Sequence, residues 1–376
     1  VKGIKLKTDN GVNGAIKGFL AEGMKAGVWD AVLVPARVPA GDSYAWLLLR
    51  DPEAVEATTP LPPVMAVSGA RALYKFARRG PAKRVAVVMR PCEVRAAIEL
   101  KKLEQISLEN VSLISVDCPG AVPLKEYIAD PPAGESKFEK ILAGDEEPGR
   151  EVCRICDHFS ITDSDLHFAT LGAAEGEVLL VPNSAEGEIK VDGLGLETDV
   201  DLGAWEAEIK NLTEKRKKAR EKALKAFRKE AAGPEHFSAT LSHCIGCHSC
   251  RSVCPICYCR QCYFESDALK VPADNVLSRA SQKGAARLPT DTFLFHMGRM
   301  SHMSLSCVSC GACEDACPVS VPVARLFGMV AANTQSAFEY EAGRNRDEPL
   351  PMTYYREDEL AELTAPYLET YTPSEK

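Results

Sequence analysis

The chain has 376 residues, a formal net charge of −8, 45% hydrophobic and 26% charged residues, and fifteen cysteines. That length allows two or three domains, and the acidic balance with scattered basic residues gives no footprint for nucleic acid. No apolar run approaches the roughly 18 residues of a bilayer span, and the N-terminal VKGIKLKTDNG lacks the apolar stretch of a secretory signal.

Apolar residues Val12, Ile16, Phe19, Leu20 and Met24 recur at helical spacing over Gly11–Lys25, with Asn10 or Asn13 placed to cap the start. Residues 29–34 (WDAVLV) read as a buried strand and 45–49 as a second. The prolines at 60, 62 and 63 mark a loop. A helix over 68–79 precedes a strand over 84–89 (RVAVVM), a helix over 93–105 and a strand at Val111–Val116 (VSLISV). Residues 130–150, rich in Pro, Gly and acid, read as an exposed loop, and 177–181 as one more strand. Strands alternating with helices predict an α/β domain with a largely parallel sheet.

Residues 206–232 are dense in Lys, Arg, Glu and Ala, and Glu214 and Glu221 stand four residues ahead of Lys218 and Lys225. This is the pattern of a solvated connecting helix, its charges a wet face or a docking surface. A long insertion over 263–306 shows little periodicity. After Val330 a helix leads to a polar tail with Tyr354, Tyr355, Tyr367 and Tyr371, aromatics able to pack on a partner.

The chemistry lies between Cys244 and Pro318. CIGCHSCRSVCP and CVSCGACEDACP each have the spacing C-x2-C-x2-C-x3-C-Pro by which bacterial ferredoxins hold clusters. Three thiolates on a tight loop turn to one iron–sulfur cube, and the fourth, before proline, reaches the neighbouring one. One cluster then takes Cys244, Cys247, Cys250 and Cys317; the other takes Cys307, Cys310, Cys313 and Cys254. Paired zinc sites are the competing reading, and the two prolines argue against it. Fifteen cysteines without a signal fit reduced, ligating thiols in a cytoplasmic, anaerobic setting.

Four cysteines lie in the α/β half. Cys92 and Cys118 each follow a strand, and Cys153 and Cys156 form CRIC. Four thiolates suit one more [4Fe–4S] cluster, at the carboxyl edge where parallel sheets gather ligands. Two structural cysteines and an unrelated CxxC are the alternative. Cys257, Cys259 and Cys262 remain, either as small residues packed near the clusters or as an extra metal site completed by His243 or His248.

The pieces RPCEVRAAIELKKLEQ, DCPG and CRICDHFSITDSDLHFATLG resemble the FrhB/FdhB family, over roughly residues 10–190. These are the beta subunits of coenzyme F420-reducing hydrogenase and of F420-linked formate dehydrogenase, and the dicluster module makes the chain most like the latter. The resemblance implies an electron-transfer subunit of a cytoplasmic oxidoreductase complex carrying three [4Fe–4S] clusters and FAD. Cys92, Cys118, Cys153 and Cys156 become the ligands of the third cluster, next to the flavin. Gly11, Gly14, Ser68, Arg71 and Arg90 fall where flavin or F420 is held, although Gly11-Val-Asn-Gly14 replaces the family's Gly-Gly pair. The implied partners are a catalytic subunit (formate dehydrogenase alpha or hydrogenase) and heterodisulfide-reductase-like subunits, with F420, NAD or a partner's flavin as two-electron acceptor. A flavin-free three-cluster relay is the alternative. The expected fold is an α/β flavin/iron–sulfur domain (1–200), a charged linker helix (203–233), an α+β bacterial-type dicluster ferredoxin domain (235–330), and a C-terminal helix and tail (331–376).

Overall fold

An eight-stranded mixed sheet carries the N-terminal half of the protein. The computed structural model describes residues 2–8, 10–171, 176–196, 198–267, 272–284 and 290–354. Its strands are β1 (Lys2–Lys7), β2 (Ala31–Arg37), β3 (Tyr44–Leu49), β4 (Val85–Met89), β5 (Val111–Val116), β6 (Leu166–Ala169), β7 (Glu177–Pro182) and β8 (Val200–Asp201). They lie in the order β3-β2-β4-β5-β6-β7-β1-β8. β2, β4, β5 and β6 are parallel, in register Val32↔Ala86, Ala86↔Ser112 and Ser115↔His167. β3 pairs antiparallel on one side, and β7, β1 and β8 follow antiparallel on the other. The expected parallel core is present, but half the strands are antiparallel additions.

β4 and β5 are buried at every residue, as strands covered on both faces must be. On one face lies helix α1 (Gly11–Lys25), which buries Ile16, Phe19, Leu20 and Met24 at the expected spacing. Trp29 sits edge-on to Phe19 at 5.5 Å and donates its Nε1–H to Ser112 Oγ at 2.9 Å. A Cβ at Gly23 would come within 2.1 Å of the Trp29 ring, so that position must be glycine. Each fully buried side chain such as Ile16, Leu20 or Phe168 contributes about 1.5–3 kcal/mol.

Helices α2 (Gly69–Phe76) and α3 (Pro91–Lys102) follow the parallel strands. Pro91 opens α3, and Glu93 accepts the Arg90 N–H at 2.9 Å and the Gly69 N–H at 2.6 Å, so one carboxylate binds the starts of both helices. α4 (Leu124–Ala129) and α5 (Pro131–Ala143) replace the exposed loop read from sequence. Asp130 caps α5 by accepting the Ala133 N–H at 3.1 Å, Phe138 and Ile141 are buried, and Gly144 ends it at φ 80°. The Pro, Gly and acid that suggested a loop are the helix's start and stop signals.

α6 (Glu151–Arg154) and α7 (Ala185–Asp192) precede α8 (Gly203–Glu230), the connecting helix. Along its 28 residues only Trp205 and Phe227 are buried, so the wet-face reading holds for most of its length. Beyond it lie α9 (Pro234–Leu241), α10 (Ser249–Ser252), α11 (Ala273–Lys283), α12 (Thr290–Met303), α13 (Ala312–Asp315) and α14 (Val323–Ala337). Here the α+β expectation is corrected: among the described residues this module has helices and no strand. The insertion between the two cysteine runs supplies α11 and α12 instead of a hairpin, and α12 turns Phe295, Met300 and Met303 inward.

Residues 1–346 form one compact unit. Residues 347–376 form another, in which Pro351–Thr353 make a single 3-10 turn and Tyr354 is exposed. The remaining tail tyrosines, 355, 367 and 371, lie outside the described residues.

Candidate metal centres

The parallel register brings the first set of thiols together. Cys92 is the second residue of α3, directly after β4, and Cys118 follows β5, the neighbouring strand. Both therefore emerge at the same carboxyl edge of the sheet. Cys153 lies on α6 and Cys156 just past its end. All four line one cavity, together with Cys310 of the second ferredoxin run. Burial pushes Cys156 up to about 11, with Cys153 adding to it, and raises Cys92 by desolvation and by Glu93 and Cys310.

Asp117 fixes the strand end that presents Cys118. It is fully buried and accepts N–H groups from Thr170 (2.8 Å), Leu171 (3.1 Å) and Trp205 Nε1 (2.9 Å). His167 Nε2 lies 3.0 Å away and the Ser160 hydroxyl donates to the same carboxylate. Burial alone would raise this acid, but His167, Ser160 and the Leu171 amide hold it below the ordinary range. Ser115, His167 and Asp117 form a hydrogen-bonded series without exposure, so it supports structure rather than a nucleophile.

Three arginines line the same cavity. Arg90 Nη1 donates to Cys118 Sγ at 3.2 Å and to the Gly120 carbonyl at 2.8 Å, and its Nη2 donates to the Pro62 carbonyl. Arg150 Nη2 donates to the Cys310 carbonyl at 2.9 Å. Arg216, from α8, donates to the Cys156 carbonyl at 3.3 Å and lies over the Phe159 ring. Four thiolates, cations to offset their charge, and apolar walls from Met65, Val152 and Phe159 fit a [4Fe–4S] cluster. Arg150 and Arg216 were not legible as site residues; one precedes CRIC by a few positions and the other is one base among many in the charged helix.

The two ferredoxin runs fold alike. In the first, Gly246 and His248 have φ of 67° and 57°; in the second, Ser309 and Gly311 at the matching positions have 55° and 75°. Both loops thus use two left-handed residues to turn their thiols to one side, exchanging glycine for a side chain between them. Gly311 is further constrained, since a Cβ there would meet Val152 at 2.3 Å. Cys250 is pushed up to about 11 by burial, opposed by Arg299 and reinforced by Cys244, Cys317 and Cys247. Those are the other members of the crossed set expected from the spacing. Cys254 and Cys317 are buried, whereas Cys247 is exposed. Among the described residues no group of three His, Cys, Asp or Glu converges on a single-ion point.

The residues offered for a flavin sit mostly outside the thiol cavity. Arg90 spends its guanidinium on Cys118, Gly120 and Pro62. Arg71 donates to the Cys254 carbonyl at 3.2 Å, across to the first ferredoxin run. Gly14 lacks a Cβ because one would come within 2.5 Å of Asn10, which precedes the helix without a side-chain cap bond, while Gly11 opens α1 at φ 65° with free space around it. Ser68 stands at the N-terminal boundary of α2 without a side-chain cap bond, its Oγ buried and without a partner among the described residues. None of these five except Arg90 lines the thiol cavity.

Of the three remaining cysteines, Cys257 donates to Met303 Sδ at 2.9 Å, Cys259 is exposed and Cys262 is half-buried. His248 bonds Glu265 at 2.9 Å and stacks on Phe295. His243 is exposed.

Residues 240–321 match the family described as 4Fe-4S dicluster domain. Over 299 residues the chain is 27% identical to the F420-dependent formate dehydrogenase subunit beta of Methanocaldococcus jannaschii, covering 71% of this chain and 76% of that protein. Over 302 residues it is 28% identical to the F420-dependent formate dehydrogenase 1 subunit beta of Methanococcus maripaludis, covering 71% and 74%. A chain of the xenon-derivatised F420-reducing [NiFe] hydrogenase complex from Methanosarcina barkeri aligns with a TM-score of 0.44 and 12% identity, over 62% of this chain and 94% of that one.

Proposed function

We propose that the chain is an oxidoreductase beta subunit of the FrhB/FdhB type and that it relays electrons through three [4Fe–4S] clusters in series, a reading supported by its similarity to F420-dependent formate dehydrogenase beta subunits and by its dicluster domain. One observation carries the proposal: Cys310 lines the same cavity as Cys92, Cys118, Cys153 and Cys156. The cluster of the α/β domain therefore adjoins the cluster of Cys307, Cys310, Cys313 and Cys254. The cluster of Cys244, Cys247, Cys250 and Cys317 comes last, with Cys247 at the surface. Half-buried thiols at one end and one exposed thiol at the other suit a wire.

Clusters of this kind exchange single electrons, so the protein's share of the work lies in spacing, exclusion of water and hydrogen bonds to sulfur. Arg90, Arg150 and Arg216 would hold and charge-balance the inner cluster. The domain division at 1–200, 203–233, 235–330 and 331–376 is kept as part of the proposal. So are a cytoplasmic setting and a catalytic formate dehydrogenase or hydrogenase subunit as partner; no described helix is long and apolar enough to cross a membrane. The family implies FAD and a two-electron acceptor such as F420 or NAD, and heterodisulfide-reductase-like subunits as further partners. Gly11, Gly14, Ser68, Arg71 and Arg90 are kept as its proposed contacts, and the relay does not depend on it.

The test is iron and flavin content of anaerobically purified protein, with spectroscopy of the reduced state. The expected result is about twelve irons, four per cluster. About eight irons would remove the inner cluster and with it the proposed series. Stoichiometric FAD released on denaturation would add the two-electron converter role to the relay.

A further inference from the structure

α12 lies in the insertion between the two cysteine runs, and the relay as proposed gives it no task. Two of its side chains nevertheless reach the sulfurs of one cluster set. Arg299 Nη1 donates to Cys250 Sγ at 3.1 Å, and its Nη2 to the Cys250 carbonyl at 3.2 Å. His296 Nε2 lies 3.4 Å from Cys244 Sγ. They stand three residues apart and so share one face of the helix.

Both groups are held away from water. Arg299 is 2% exposed and His296 1%. The Arg299 guanidinium lies over Phe295 on one side and Phe327 on the other, at 5.4 and 4.8 Å. Neither Arg299 Nε nor His296 Nδ1 has a hydrogen-bond partner among the described residues. A buried guanidinium with so few oxygen acceptors has been left to face sulfur. A thiolate accepts only, so the histidine tautomer that bonds it carries its proton on Nε2.

We infer that α12 tunes one cluster: Arg299 and His296 hold the terminal cluster, that of Cys244, Cys247, Cys250 and Cys317, at a higher reduction potential than it would have without them. The inference rests on the relay reading. Reduction adds one electron to the cluster, and N–H groups aimed at its sulfurs stabilise the more negative state. A cation does so more strongly, and in a dry interior the effect is little screened. The Val321 N–H adds a third donor, to Cys317 Sγ at 3.3 Å. Arg299 also interacts with Cys257 and lies near Cys254, so its field reaches the middle cluster, while its bond to an assigned cluster ligand is the one to Cys250.

The experiment is a redox titration of the whole protein, purified anaerobically and followed by electron paramagnetic resonance, with iron counted in every sample. A Cys247→Ser variant identifies the terminal cluster's signal. Arg299→Met and His296→Leu should each lower that cluster's potential, Arg299→Met the more, by at least a tenfold change in its one-electron equilibrium, or about 59 mV. The other two clusters should move less. Arg299→Lys keeps the charge and should recover part of the shift. If Arg299→Met loses iron, Arg299→Lys and His296→Leu carry the test with all clusters present. A terminal potential unmoved in iron-replete variants, or a middle cluster that shifts as far, overturns the inference and leaves the relay standing. A wild-type protein without both ferredoxin-type signals sinks the relay itself.

Discussion

Arg150 Nη2 donates to the carbonyl of Cys310 at 2.9 Å, a bond from the loop ahead of CRIC to the second ferredoxin run. The same guanidinium faces Asp315 Oδ2 at 3.6 Å, with both side chains almost fully buried. Arg150→Ala would leave the Asp315 carboxylate buried without its cation. Breaking such a pair costs about 3–5 kcal/mol. The expected outcome is a lower thermal midpoint, with electron transfer between the inner and middle clusters slowed more than Arg150→Lys slows it. Calorimetry and rapid-freeze spectroscopy of the two variants check this.

Arg90 separates the cluster reading from the flavin reading. Its contacts are Cys118, Gly120 and Pro62, all around the thiol cavity. Arg90→Ala is therefore expected to lose about four of about twelve irons, one cluster's worth. Iron content unchanged with FAD lost would reverse that assignment and place the guanidinium at a flavin.

The crossed pattern of the two runs makes an unequal prediction for their last cysteines. Cys250 has Cys244, Cys247 and Cys317 as its thiol neighbours, so Cys317→Ala should damage the cluster of the first run. Cys254→Ala should damage that of Cys307, Cys310 and Cys313. Spectra of the two variants after reduction decide it, and the pattern fails if each change affects the cluster of its own run.

How far the sequence was readable depended on the range of the interaction. α1 and α8 were legible because their patterns are local: apolar residues at helical spacing in one, acid four residues before base in the other. The cysteine spacings predicted the matching loops for the same reason. β1 and β6 were missed because a short strand acquires its meaning from its neighbours. Ile4 is buried only because Leu180 of β7 lies opposite it. α5 was hidden by its own caps, which resemble loop composition. Arg216, His296 and Arg299 were invisible as site residues, since each reaches its cysteine over 49 to 60 positions of sequence. The thiol cavity combines both cases: its cysteines were named in advance, while its cations were supplied by folding.

The order of the clusters leads to a last prediction, about which of them fails first. Oxidants and alkylating reagents reach thiolates in proportion to exposure. Cys247 is exposed, and its neighbour Ile245 is 62% exposed, so the terminal cluster has one corner open to solvent. The thiols of the inner set, Cys92, Cys118, Cys153 and Cys156, are half-buried and none is exposed. Brief exposure to air or ferricyanide should therefore release about four irons first. The signal lost at that stage should be the terminal cluster's, and iodoacetamide should then label Cys247 and Cys244 before Cys92, Cys118 or Cys153. Cys259 is exposed without a cluster and should be labelled from the start, which gives an internal control. Mass spectrometry of the alkylated peptides over time reads the order directly. Early labelling of Cys92 or Cys118 would mean that the inner thiols open to solvent, and the series would have to be drawn from the other end.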